Sequence, residues 1–283
     1  MYTSIIDVND LKGNLDHPDW VIVDTRYDLA NENTGKEAYL ESHIPGAVFA
    51  DLHHDLSGPP LTDKGRHPLP SAIQLNQLFI RLGVNTGTQV VVYDQVSGSF
   101  ASRLWWLLRY MGHEAVAVLN GGWPSWVETG LPVHMGEEKN QPGNFKGSPR
   151  TDWLVITEQI PSMKLLIDSR DPARYRGEIE PLDRVAGHIP GAINHFWKEN
   201  LMEDGLFKKP KILEREFRAL LGTVSPDEAV FYCGSGVTAC HNLLATAHAG
   251  LLTPKLYAGS WSDWCSDPAR PVATGDAPGR FEG

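Results

Sequence analysis

Hydrophobic and polar positions over the first 130 residues follow two alternating periods. The runs "WVIVDTR" (20–26), "GAVFAD" (46–51), "QVVVYD" (89–94) and "AVAVLNGG" (115–122) are short, β-branched and apolar almost without interruption. Runs of that kind are expected of strands buried on both faces. Between them, "SAIQLNQLFIRLG" (71–83) and "SFASRLWWLLRYMG" (99–112) space their apolar residues as helices do. Each ends on a glycine, Gly83 or Gly112, that can take the left-handed stop after a helix. Strands alternating with helices predict an α/β fold, a mostly parallel sheet flanked by helices.

The second half repeats the first. "VIVDTR" (21–26) returns as "LLIDSR" (165–170), and "ESHIPGAVF" (41–49) returns as "AGHIPGAIN" (186–194). "VVVYD" (90–94) matches "AVFYC" (229–233), and "LNGGWPSW" (119–126) matches "YAGSWSDW" (257–264). The four landmarks keep their order at a spacing of about 140 residues, so the chain is a tandem pair of like domains. The stretch "GEEKNQPGNFKGSPR" (136–150) is polar, rich in Gly and Pro and without period, as a connection would be. This divides the chain into a first domain over 1–135, a linker over 136–150 and a second domain over 151–283. The tail "TGDAPGRFEG" (274–283) is expected to fray.

Composition narrows the partners. A chain of 283 residues with 41% hydrophobic and 21% charged residues is an ordinary globular protein, long enough for two cores. A formal net charge of −10 argues against nucleic acid or an anionic membrane as partner, while leaving room for a locally positive pocket that takes a small anion. The start, "MYTSIIDVNDLKG", has neither the basic nor the apolar region of a signal peptide, and no run reaches the length of a membrane span. Cys233, Cys240 and Cys265 form no CxxC and no even framework, which fits a reducing compartment, the cytoplasm.

The chemistry concentrates in "AVFYCGSGVTACHNLLATA" (229–247). Cys233 stands at the carboxyl end of a predicted strand, where open α/β sheets build their sites. Gly234 and Gly236 allow the loop Cys233-Gly234-Ser235-Gly236-Val237-Thr238 to curl its amides inward. A nest of amides with a helix start behind it attracts negative charge, which favours a thiolate nucleophile and cradles a second sulfur bonded to it. The first half has Asp94 at the matching place, so one copy kept the chemistry. Cys240, within the following helix, and Cys265, beside Trp264, are expected to be inert.

Other cysteine chemistries do not fit. A cysteine phosphatase needs an arginine six positions after its nucleophile, and here that residue is Ala239, with Tyr232 before the cysteine. No Gly-Lys-Ser/Thr follows the turn, as a P-loop requires. The eleven histidines, His53 and His54 among them, lack zinc-ligand spacing, and neither a metal nor another cofactor is expected.

The tandem halves, the "HIPGA" run in each and the loop "CGSGVTA" resemble the two-domain rhodanese-fold sulfurtransferases, over about residues 3–272. The resemblance implies a silent N-terminal domain, a catalytic C-terminal one and a ping-pong reaction. Cys233 would take a sulfane sulfur from a small-molecule donor as a persulfide and give it to cyanide, thioredoxin or another thiol. In this family a "CRKGVT" loop goes with thiosulfate and a "CGSGVT" loop with 3-mercaptopyruvate. The uncharged Gly234 and Ser235 thus favour 3-mercaptopyruvate. The resemblance also implies that Arg174, after the "DSR" strand, grips the donor carboxylate. A second arginine follows "EP" in that pattern, but "EIEPLDRVAGHIPG" (178–191) carries Arg184 two positions later, with Arg176 another candidate. Ser235 is implied to share a proton with His67 of "RHPLP", contributed by the first half. The acid expected to orient that histidine is replaced by His53, flanked by Asp51 and Asp55. That loss keeps thiosulfate open as the donor, and a non-catalytic binding module is the third reading. His43 and His188 recur in both halves and are expected to fix turns, as Asp24/Arg26 and Asp168/Arg170 are expected to tie strand ends. Tandem domains that cover each other's cleft suggest a monomer.

Overall fold

The unbroken apolar runs become strands of two parallel sheets, three of the four named in the first half as inner strands and "GAVFAD" as an edge strand. In the computed structural model, which describes residues 1–59 and 65–281, the chain divides into two units. The first comprises Met1–Gly58, Pro70–Arg150 and Glu203–Phe207; the second comprises Pro59–Leu69, Thr151–Met202 and Lys208–Gly283. Each unit therefore takes in a short segment from beyond its own half of the chain.

The first unit holds β1 (Ile5–Ile6), β2 (Trp20–Asp24), β3 (Val48–Phe49), β4 (Gln89–Tyr93) and β5 (Val116–Leu119), in the sheet order β1-β5-β4-β2-β3. Its helices are α1 (Val8–Lys12), α2 (Thr34–Glu41), α3 (Ala72–Arg81), α4 (Ala101–Tyr110) and α5 (Gly122–Glu128). The second unit holds β6 (Leu165–Asp168), β7 (Ala192–Asn194), β8 (Ala229–Tyr232) and β9 (Lys255–Leu256), in the order β7-β6-β8-β9. Around it lie α6 (Pro172–Arg176), α7 (Pro210–Leu221), α8 (Ala239–His248) and α9 (Ser260–Trp264). Every strand pair is parallel. The central strands β4 and β8 are buried at every position, which is why their sequences carry no alternation. Ser71 starts α3 with a reciprocal cap to Gln74, and Gly83 and Gly112 take positive φ of 89° and 92° just past α3 and α4.

The repeat extends to hydrogen bonds. Tyr93 and Tyr232 close the central strands, and each hydroxyl accepts the amide of Ile44 or Ile189 at 3.2 Å. Arg26 pairs with Asp24 at 2.7 Å beneath the Trp123 ring; Arg170 pairs with Asp168 at 2.6 Å beneath Trp261. All four charged groups are buried, and each would be costly without its partner. The Nδ1 atoms of His43 and His188 lie 2.8 Å from the carbonyls of Tyr39 and Tyr175, whose rings stack on the imidazoles.

Two segments differ from their sequence reading. Residues 136–150 form neither helix nor strand, yet they are fastened along the first unit. The Gly143 amide donates to Ile80, the Arg150 amide donates to Tyr110, and the Phe145 ring meets Phe79 and His113. The tail does not fray as far as Phe281. Pro278 accepts the Gly191 amide at 2.6 Å and Phe281 sets its edge on Trp264 at 5.9 Å, while 282–283 lie outside the described residues. One aromatic anchor outweighs a polar, glycine-rich composition. Phe281→Ala should therefore cost about 1–2 kcal/mol in urea unfolding, a partial share of the loss for a fully buried ring, whereas a frayed tail would show no change.

Candidate active site

Strand β8 delivers Cys233 to the sheet's carboxyl edge with 1% of its surface exposed. The loop behind it is held from the α9 side. The Cys233 amide donates to Ser260 Oγ at 3.1 Å, and the Trp261 and Ser262 amides donate to the carbonyls of Cys233 and Gly234 at 3.0 and 2.9 Å. Ser260 itself sits at φ 57°, a conformation held in place by its hydroxyl donating to Tyr257 O. Gly236 has φ 74°, and a Cβ there would come within 2.4 Å of the Ala258 carbonyl, so only glycine lets the loop close on its neighbour. Val237 is buried, Thr238 half-buried, and α8 begins at Ala239.

What such a loop can hold is visible in the first unit. Asp94 follows β4 as Cys233 follows β8, and the Trp123 amide bonds its carbonyl as Trp261 does for Cys233. The Asp94 carboxylate, fully buried, accepts four backbone amides: Val96 and Gly98 at 2.7 and 2.9 Å, Phe100 and Ala101 at 2.7 and 2.8 Å. The second loop is one residue shorter, since α8 begins at Ala239 where α4 begins at Ala101, so Gly98, Phe100 and Ala101 correspond to Gly236, Thr238 and Ala239. The first half thus fills its turn with its own anion, and the second has a thiol at the corresponding strand end.

A cluster of charge surrounds the second loop. Arg174, on α6, donates through Nε and Nη2 to Glu180 at 3.1 and 2.6 Å, and its Nη2 lies 3.4 Å from Asp183. Arg170 reaches the same Glu180 at 3.1 Å. Arg66 pairs with Asp183, its amide bonded to Ser262 Oγ at 3.1 Å. The next residue, His67, is buried with Nδ1 2.8 Å from Ser235 Oγ. Of the residues singled out from the sequence, Cys233, Gly234, Ser235, Gly236, Val237, Thr238, His67 and Arg174 come together within the second unit. Arg184 does not join them. It is exposed and shares none of the ion pairs recorded among the described residues, because the turn after Pro181 directs Asp183 inward instead. Arg176 pairs outward with Glu178 and Asp276. His53 is half-buried in a turn of the first unit, where Asp51 accepts the His53 and His54 amides and Asp55 accepts that of Asp51.

Arg66, Glu180 and Asp183 escaped the sequence reading. The one signal for Arg66 was its place directly before His67. The remaining cysteines are enclosed: Cys240 is fully buried with Sγ 3.4 Å from Gly236 O, and burial pushes the Cys265 thiol up.

The rhodanese-like domain matches the chain twice, over residues 7–129 and 155–267. A Pseudomonas aeruginosa protein described as a probable 3-mercaptopyruvate sulfurtransferase is 45% identical over 280 residues, covering 96% of this chain and 98% of that one. Thiosulfate sulfurtransferase of Rattus norvegicus is 33% identical over 257 residues, 87% and 85% of the two chains. Among solved structures, SseA from Escherichia coli, described with the 3-mercaptopyruvate sulfotransferases, aligns with a TM-score of 0.79 and 33% identity over 92% of this chain and all of that one.

Two outcomes follow from this geometry. Asp94→Ala strands four amides, three of them buried, and should cost about 3 kcal/mol or more in denaturant unfolding, against under 1 kcal/mol if the carboxylate were incidental. Glu180 is the second case. Burial pushes its carboxyl up, but hydrogen bonds and charge from Arg174, with the Leu182 amide and Arg170, hold it below the ordinary carboxylate value. Its contribution to stability is then complete above an unfolded value of about 4.3 and is lost as pH falls through the lower folded value. Unfolding free energy should therefore drop less steeply on acidification in Glu180→Gln than in the wild type; equal slopes would contradict this.

Proposed function

The chain belongs to the rhodanese-like domain family, carrying the domain twice, and on that footing we propose that it is a sulfurtransferase that draws sulfur from 3-mercaptopyruvate through Cys233. The observation that carries this reading is a thiol standing where the repeated half holds a carboxylate in four amides. The Cys233 thiolate attacks the donor sulfur, a new S–S bond forms, and the donor's C–S bond breaks with its electron pair left on carbon as the pyruvate enolate. A proton completes pyruvate. The persulfide's outer sulfur lies in the amide cradle until an acceptor thiolate, or cyanide, attacks it and releases Cys233. The hydrogen-bonded Ser235 hydroxyl and His67 ring supply a proton route beside the leaving carbon.

Donor choice follows from charge. The loop presents no cation at Gly234 or Ser235, and the guanidiniums beside it already face two carboxylates, Glu180 and Asp183. A single carboxylate suits that balance better than the divalent thiosulfate. The likeness to a thiosulfate sulfurtransferase supports thiosulfate as the second reading. Three free, buried cysteines support work in a reducing compartment, the cytoplasm, with a small thiol or thioredoxin as acceptor. No helix among the described residues is long and apolar enough to cross a membrane.

Sulfur transfer to cyanide with the two donors in parallel tests the reading. We expect 3-mercaptopyruvate to lead by at least about tenfold in kcat/KM, ~1.4 kcal/mol of transition-state preference. Cys233→Ser should be inactive, and Ser235→Ala should lose about 10- to 100-fold in kcat. Faster turnover of thiosulfate would reverse the donor assignment, and activity surviving in Cys233→Ser would overturn the mechanism.

A further inference from the structure

We propose that Arg66 is a donor-binding residue, the partner of Arg174 in gripping the carboxylate of a short monocarboxylic sulfur donor; this rests on the sulfurtransferase reading and adds to it the recognition of the donor. The argument begins at Gly234, which has no side chain. A Cβ built there would lie 2.9 Å from Nη2 of Arg66 and 3.5 and 3.6 Å from Nη2 and Nη1 of Arg174. Two guanidiniums therefore converge over the residue next to Cys233, filling the space a side chain at 234 would take.

Like charges do not converge without a counterion. Asp183 supplies it, taking Arg66 Nη1 on Oδ1 and Arg174 Nη2 on Oδ2. Glu180 takes Nε and Nη2 of Arg174. Those contacts leave Nη2 of Arg66 and Nη1 of Arg174 without a hydrogen-bond acceptor among the described residues, and both atoms are among those that a Cβ at Gly234 would meet. Guanidinium donors are placed to meet the two oxygens of one carboxylate. Side-chain exposure of 31% for Arg66 and 15% for Arg174 leaves them reachable from solvent, while Glu180 and Asp183, at 3% and 5%, are enclosed behind them.

The chemical class follows from this arrangement. Two arginines against two carboxylates is neutral before a ligand enters. A monoanion adds one negative charge to four spare donor hydrogens, whereas a dianion adds two. The ligand must also be short, since the grip lies over the residue adjoining the nucleophile. Recognition and proton handling share one turn: Gly65 packs against the Gly259 carbonyl, the Arg66 amide is tied to Ser262, and His67 bonds Ser235. Arg66 and His67 thus reach the loop from a single anchored segment.

The test uses the full-length protein with 3-mercaptopyruvate and cyanide, comparing wild type with Arg66→Ala, Arg66→Lys and Arg184→Ala, and thermal unfolding to check that each is folded. We expect Arg66→Ala to raise KM for 3-mercaptopyruvate about tenfold or more with kcat changed less than about threefold, and Arg66→Lys to recover part of that loss. Arg66→Ala with KM within about twofold of wild type would overturn the proposal, as would Arg184→Ala reproducing the effect in its place. Calorimetric binding of pyruvate to the Cys233→Ser protein separates this from the functional reading. Binding weakened by adding Arg66→Ala supports the carboxylate site even if no sulfur is transferred. Binding indifferent to Arg66, or absent with Arg66 intact, overturns it.

Discussion

Backbone amides gathered at the carboxyl end of a buried parallel strand require something negative at their centre, and both halves of this chain are built around meeting that requirement. In the first half Asp94 meets it permanently, with four amides on two oxygens. In the second half Cys233 stands at the same strand end, its carbonyl and that of Gly234 bound by the start of α9 and its loop closed by a glycine that no other residue could replace without collision. The parallel sheets, the tyrosine at the end of each central strand and the Arg–Asp pair under each tryptophan place these two turns at corresponding strand ends. One turn is saturated by its own side chain. The other carries a sulfur able to make and break a bond.

Charge around the second loop follows from the same economy. The buried Arg26–Asp24 pair of the first half is closed on itself and on the Ala38 and Ser42 carbonyls. Its counterpart Arg170 has a further partner, Glu180, which also holds Arg174. Asp183 then holds Arg174 and Arg66 together. The second half has thus extended a structural tie into a row of guanidiniums whose outer members face the catalytic loop. Enclosed carboxylates set their spacing and cancel their excess charge, which is what a site for a singly charged donor requires.

Much of this was legible in the sequence, for reasons specific to particular residues. Buried parallel strands have no polar alternation, so β2, β4 and their repeats declared themselves. Cys233, Ser235 and Gly236 are contiguous, and Arg174 follows a recognisable strand by a few residues. Arg66 was hidden because its role depends on contacts 117 residues away, at Asp183, and 196 away, at Ser262. The "EPLDR" stretch misled for a local reason: the residue turned into the cluster is the acid Asp183, while the neighbouring Arg184 stays exposed. The tail and the 136–150 segment look unstructured by composition because each is held by a few contacts, Phe281 on Trp264 and Phe145 between Phe79 and His113, that leave no period.

The measurement that bears most directly on this account is the intact mass of the protein after brief exposure to 3-mercaptopyruvate with no acceptor present, followed by peptide mapping. The account predicts the gain of one sulfur atom, located on Cys233, lost on adding cyanide and absent from Cys233→Ser. An unchanged mass, or sulfur found on Cys240 or Cys265 instead, would contradict it.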